Sequence, residues 1–152
     1  MTKRILSITT TMFLLLSLIS CFCVDDNRYS NVDFDSISIG MLDGNGAEGI
    51  DESNIIIEDF NSWESLVNQM NTVNEEVDLS ATTINFNDYL LLVVFTEIKN
   101  SGAQVEITEV AENPNHVVVY FTGSESTFTV MSQPYHIVQI PKTSKPIIFE
   151  EQ

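Results

Sequence analysis

The chain has 152 residues, with 22 acidic against 6 basic side chains, a formal net charge of −16, and two cysteines. Phosphate contacts need Lys and Arg, so this balance argues against a nucleic-acid binder and against docking on anionic lipid heads, while a strong negative field favours basic partners. Cys21 and Cys23 stand two residues apart, too close for an unstrained bridge, so the core must hold without covalent staples.

Lys3-Arg4 precede an apolar stretch, Met12-Phe13-Leu14-Leu15-Leu16, that runs into Leu18-Ile19-Ser20-Cys21. The shape is that of a secretory signal. The last four residues read as a lipobox, with a small residue before the cysteine for the peptidase. Residues 1–20 are then a signal peptide, and Cys21 is the lipidation site and mature N-terminus. One acyl chain binds a membrane marginally and two or more hold it stably, at about 0.8 kcal/mol per buried methylene. An uncleaved anchor is the rival reading, since Ile5 to Val24 is long enough to span, but six Ser and Thr residues make it a weak span. Plain secretion is the third. All three place the rest of the chain outside the cytoplasm. The expected location is the cell envelope, lipid-anchored to the outer membrane; Asp25 and Asp26 resemble the surface-export signal of some bacterial lipoproteins. Losing Lys3 and Arg4 leaves four basic against 22 acidic residues, so −16 becomes −18.

Residues 21–33 are expected to form a lipidated, acidic tether, and residues 34–152 one globular domain, a size that suits a single core. Ser36-Ile37-Ser38-Ile39-Gly40-Met41 alternates and predicts a strand with Ile37, Ile39 and Met41 on one face. A turn-rich loop follows at Asp43–Gly49, then a β-branched strand, Asn54–Glu58. Asn61 is the expected N-cap, with Glu64 as its capping-box partner. Trp63, Leu66, Val67 and Met70 fall on one stripe of a helix at about 61–71. Tyr89–Phe95 is continuously apolar and predicts a central strand covered on both faces, one of them by the Trp63 helix. Asn100-Ser101-Gly102 is a turn, Gln104–Val110 alternates with Val105 and Ile107 inward, and His116–Phe121 is a further strand. Thr127–Met131 and Tyr135–Ile140 read as strand segments on either side of Pro134, and Pro146–Phe149 closes the chain. The expected fold is α+β and mainly β: an antiparallel sheet of six to eight strands, as a sandwich or half-barrel, with one amphipathic helix.

No catalytic constellation emerges, so the chain is expected not to be an enzyme. The domain has no cysteine and no G-x-S-x-G serine. Its two histidines, His116 and His136, lack metal-ligand spacing, and His136 shares a strand face with Val138 and Ile140. Asp43-Gly44-Asn45-Gly46 invites a calcium reading, but Ala47 and Glu48 break the EF-hand pattern. No metal and no cofactor are expected.

Set in order, these segments resemble the protease-complex subunit PrcB family of bacterial lipoproteins. The resemblance rests on Gly46–Ile50, Asn54–Glu58, Asn61-Ser62-Trp63-Glu64-Ser65-Leu66, Asn85-Phe86, Leu90–Phe95, Asn100-Ser101-Gly102-Ala103, Gln104–Val110 and, most specifically, Pro134-Tyr135-His136-Ile137-Val138-Gln139-Ile140-Pro141-Lys142. It covers most of residues 36–142. The family's Thr-Gly-Gly-Tyr turn departs here, with Ala103 and Gln104 in place of its second Gly and its Tyr. The resemblance implies a non-catalytic accessory domain that associates with an extracytoplasmic protease or another envelope protein. Candidate contacts are Asn100, Ser101, Gly102, Pro134, Tyr135 and His136, with a structural role as the rival reading for each. The alternatives are a protease inhibitor and a surface lipoprotein that binds a small ligand or glycan.

Overall fold

The computed structural model describes residues 28–43, 45–73, 79 and 82–152. The signal segment, Cys21, Cys23 and much of the connection after the helix lie outside the described residues.

Nine strands and one helix are found among these residues: β1 (Ser30–Asn31), β2 (Asp35–Leu42), β3 (Ser53–Ile57), α1 (Phe60–Met70), β4 (Tyr89–Phe95), β5 (Lys99–Asn100), β6 (Val105–Glu112), β7 (Val117–Gly123), β8 (Met131–Pro141) and β9 (Ile147–Glu151). The two extra strands relative to the sequence expectation are the two-residue β1 and β5. The strands form two sheets, ordered β1-β6-β7-β9 and β2-β8-β4-β3, with β5 added to β8. The fold is a mainly β sandwich with one helix, as the residue pattern implies.

β4 explains the layering. Its side chains alternate between two clusters, which is what an uninterrupted apolar strand requires. Leu91, Val93 and Phe95 pack with Trp63, Leu66 and Met70 of α1. Leu90, Leu92 and Val94 face the other sheet, against Val105, Ile107, Val117 and Val119. The order of layers is therefore helix, sheet, sheet.

α1 starts two residues earlier than expected. Its N-cap is Asp59, whose carboxylate accepts from the Ser62 backbone N–H at 3.0 Å and from the Ser62 hydroxyl at 2.7 Å. Asp and Asn cap about equally well, and the Asp59 carboxylate adds a favourable negative charge at the helix N-terminus. These bonds hold the Asp59 carboxyl below its ordinary 3.8.

β2 departs from simple alternation. A bulge between Ser36 and Ser38 re-aims the strand, so Ile37 packs toward the helix cluster while Ile39 is 51% exposed. β8 runs unbroken through Pro134, which the sequence reading placed between two strand segments. Proline removes a ladder donor. Here the Pro134 carbonyl still accepts from Thr96 N–H at 3.1 Å, and the Thr96 carbonyl takes its hydrogen bond from the buried Gln133 side-chain amide at 2.9 Å. The same amide donates to the Ile50 carbonyl at 3.1 Å.

β9 corrects the all-antiparallel expectation, because it pairs with β7 in parallel. A short link within one sheet forces an antiparallel return. Residues 142–146 instead carry the chain from one sheet to the other, which lifts that constraint. At the N-terminal side, Ser30 and Asn31 pair with β6, Val32 and Phe34 pack on the inter-sheet cluster, and the Tyr29 hydroxyl meets His116 Nε2 at 2.8 Å. Part of the stretch expected as tether is thus held by the fold.

Candidate interaction surface at the loop end

The strand directions gather three loops at the end of the sandwich opposite the point where Tyr29 enters. They are residues 45–49 after β2, 96–104 around β5, and 124–130 between β7 and β8. At about 3.4 Å per residue, the eight residues of β6 separate the two ends by about 27 Å.

Local hydrogen bonds fix this end. Asn100 Nδ2 donates to the Ser126 carbonyl at 3.1 Å, and the Ser126 hydroxyl donates to the Ser101 carbonyl at 2.6 Å. Gln104 N–H donates to the Ser124 hydroxyl at 2.9 Å, and the Ser124 N–H returns to the Gln104 carbonyl at 2.8 Å. Gly102 sits at φ +93°, and its N–H points at the Met41 sulfur at 3.3 Å. Lys99 Nζ lies 2.8 Å from Glu125 Oε1; this bond, ahead of the opposing desolvation, raises the Lys99 pKa above its ordinary value. With Glu125 largely exposed, the pair adds little to stability.

On this braced frame stand apolar side chains that the described residues leave uncovered. Phe128 is 68% exposed and Val130 64%, with Met131 and Ile98 beside the same loops also exposed. Ile98 reaches across to Gly46, where an added Cβ would lie 2.5 Å from its Cδ1. Several large apolar groups gathered at one end are more informative than the scattered exposed leucine or valine of any surface. Alternation over Thr127–Met131 placed Phe128, Val130 and Met131 in an expected strand, and Ile98, between Glu97 and Lys99, carried no signal of its own.

The six residues singled out from sequence divide into two groups. Asn100, Ser101 and Gly102 lie in the loop end and brace it. Pro134, Tyr135 and His136 lie in the interior of β8. The Tyr135 hydroxyl meets Ser38 Oγ at 3.1 Å, and burial raises its pKa. His136 is 3% exposed, with Nδ1 2.8 Å from the Ile107 backbone N and Nε2 2.9 Å from Ser36 Oγ. A backbone N–H only donates, so Nδ1 carries no proton and the ring is neutral with its proton on Nε2. Both nitrogens are committed to holding β2, β8 and β6 together. Among the described residues no group of three His, Cys, Asp or Glu side chains is placed to hold a metal ion.

No family model, curated protein or solved structure matches the chain. The geometry of the loop end must carry the functional reading.

Gly102 gives a direct check on that geometry. A Cβ there would stand 2.9 Å from both Phe128 Cδ2 and Ser126 Oγ, on a backbone that L side chains rarely adopt. Gly102→Ala is expected to cost about 1–2 kcal/mol and to loosen the Ser126–Ser101 bond. Thermal melting reads the first effect and amide exchange over residues 124–130 the second.

Proposed function

We propose that the chain is a lipid-anchored extracytoplasmic lipoprotein whose domain is a non-catalytic accessory subunit. It docks through the Ile98, Phe128, Val130 and Met131 end on an envelope partner, in the first instance a protease. The observation that carries this reading is the pair Phe128 and Val130, held two-thirds exposed on a loop that its neighbours brace. Aromatic residues and methionine are enriched at protein interfaces, and a preorganised frame lowers the ordering cost of binding. The lipobox at Leu18–Cys21 supports the anchor, and the resemblance of Pro134–Lys142 to the PrcB family supports the accessory role. The described chain enters the fold at the far end, about 27 Å from the apolar end.

The test is crosslinking in native membranes followed by mass spectrometry, with Phe128→Ser/Val130→Ser and Cys21→Ala as variants. The double variant should melt within about 0.5 kcal/mol of the parent, as exposed positions do, and should lose the captured partner. Cys21→Ala should move the protein to the soluble fraction. Capture that survives the double substitution would sink the docking assignment.

A further inference from the structure

Among the described residues, β1, β9, β2 and β3 end the two sheets, and the first three of those edges are blunted. β1 is two residues long, β2 carries a bulge, and β9 opens after Pro146 and closes on Glu150-Glu151. Short length, bulges, proline and charge are the devices by which proteins stop an edge from pairing with another chain. β3 has no bulge and no proline, and its charges stand beyond its two ends. Its register with β4 is unbroken from Ser53↔Phe95 to Ile57↔Leu91, and its core is Ile55-Ile56-Ile57. Ile55 and Ile57 pack toward α1, but Ile56 points to the other face and remains 41% exposed.

Both flanks of this edge are shaped. On one side a groove runs between β3 and α1, with Asn61, Ser62, Ser65 and Gln69 along it. On the other, Ile56 shares a depression with Pro146 and Ile147, whose rim also carries Glu58, Thr143, Ser144 and Lys145. At the ends stand Asp51 and Glu52, and Glu58 and Asp59.

We propose that the free edge of β3 is a strand-addition site for an extended, basic-flanked peptide segment of a partner protein. Main-chain bonds to β3 give such a mode its affinity, and alternate side chains give its specificity. The residue opposite Ile56 is apolar and sits against Pro146 and Ile147. Its neighbours turn toward α1 and are small and polar. Lysine or arginine at the segment's ends meets Asp51, Glu52 and Glu58, while Asp59 is already engaged by Ser62. The same charges choose against a second copy of this chain. Antiparallel self-pairing centred on Ile55 sets Glu52 opposite Glu58 at both ends, and like charges directly opposite are destabilising. Its Glu52 end adjoins Thr96, Glu97 and Lys99 of the loop end, but Ile56 is not part of that end, so the proposal stands whether or not Phe128 and Val130 dock a partner.

The full chain in detergent micelles is panned against displayed random peptides about a dozen residues long, in parallel with its Ile56→Lys variant. The variant places a charge on the edge without touching the β4 side, and its thermal melt verifies the fold. Enriched peptides are expected to alternate apolar and polar residues between basic ends. They should bind Ile56→Lys about tenfold more weakly or worse and slow amide exchange across Ser53–Glu58. Two results overturn the proposal. One is enrichment that is equal on the folded variant or absent on both. The other is a parent chain that dimerises through β3, shown by size-exclusion chromatography and lost in Ile56→Lys.

Discussion

Trp63→Ala is expected to remove about 3–5 kcal/mol of stability, a large fraction of the margin of a domain whose total is about 5–15 kcal/mol. Trp63 is 4% exposed and belongs to the same cluster as Leu91, Val93, Phe95, Tyr135 and Ile137. Truncation therefore loses the transfer of a large ring and leaves a cavity that β4 cannot close, since β4 is pinned from its other face by the second sheet. α1 also has little to hold it otherwise. Eleven residues are too few for a stable isolated helix, so its docking depends on this stripe. Urea unfolding followed by circular dichroism measures the effect. A loss under about 1 kcal/mol would mean that the helix contributes much less to the fold than its burial implies.

The second large effect concerns His136 and pH. Burial, opposed by the nearby Glu106 carboxylate, pushes its pKa below the ordinary 6.5, and the bond from the Ile107 N–H requires the neutral ring. In the unfolded chain the imidazole protonates near its ordinary value. The unfolded state therefore binds more protons once the pH drops below about 6.5. The stability tied to the neutral ring is fully present above that value and is lost as the pH falls toward the folded-state pKa. Asp59, with its lowered pKa, acts in a separate window: its contribution is present above the unfolded value of 3.8 and is lost at lower pH. His136→Leu should flatten the stability profile just below pH 6.5 and leave the Asp59 window intact. It should also lower stability throughout by about 1–3 kcal/mol, the cost of a buried Ile107 N–H with no acceptor. Denaturant unfolding at a series of pH values separates the two consequences. A parallel offset with no change of slope would show that protonation of His136 is not coupled to folding.

Much of the architecture can be read from the residues. The seven-residue apolar run of β4 calls for cover on both faces, and the Trp63, Leu66, Val67 and Met70 spacing supplies one of the two covers. These are periodic signals that local chemistry enforces, because a strand alternates every two residues and a helix repeats every 3.6. The expected site was less legible. Tyr135 and His136 have the side chains of a binding segment, yet β8 is flanked by β2 and β4 and lies under the second sheet, so both became interior bonds. Phe128 and Val130 have the side chains of a core, yet the link between the sheets leaves them outside.

By itself the sequence determined the class of fold, the helix, the central strand and the acidic surface, together with the expectation of a lipidated Cys21, which lies outside the described residues. Each rests on composition or on short-range periodicity. Only the tertiary structure decided that β9 joins β7 in parallel, that Pro134 passes through a continuous strand because Gln133 serves the Thr96 carbonyl, and that β3 is the unblunted edge. Those outcomes depend on which distant segments share a sheet, and pairing partners far apart in the chain leave no mark on the local pattern of either.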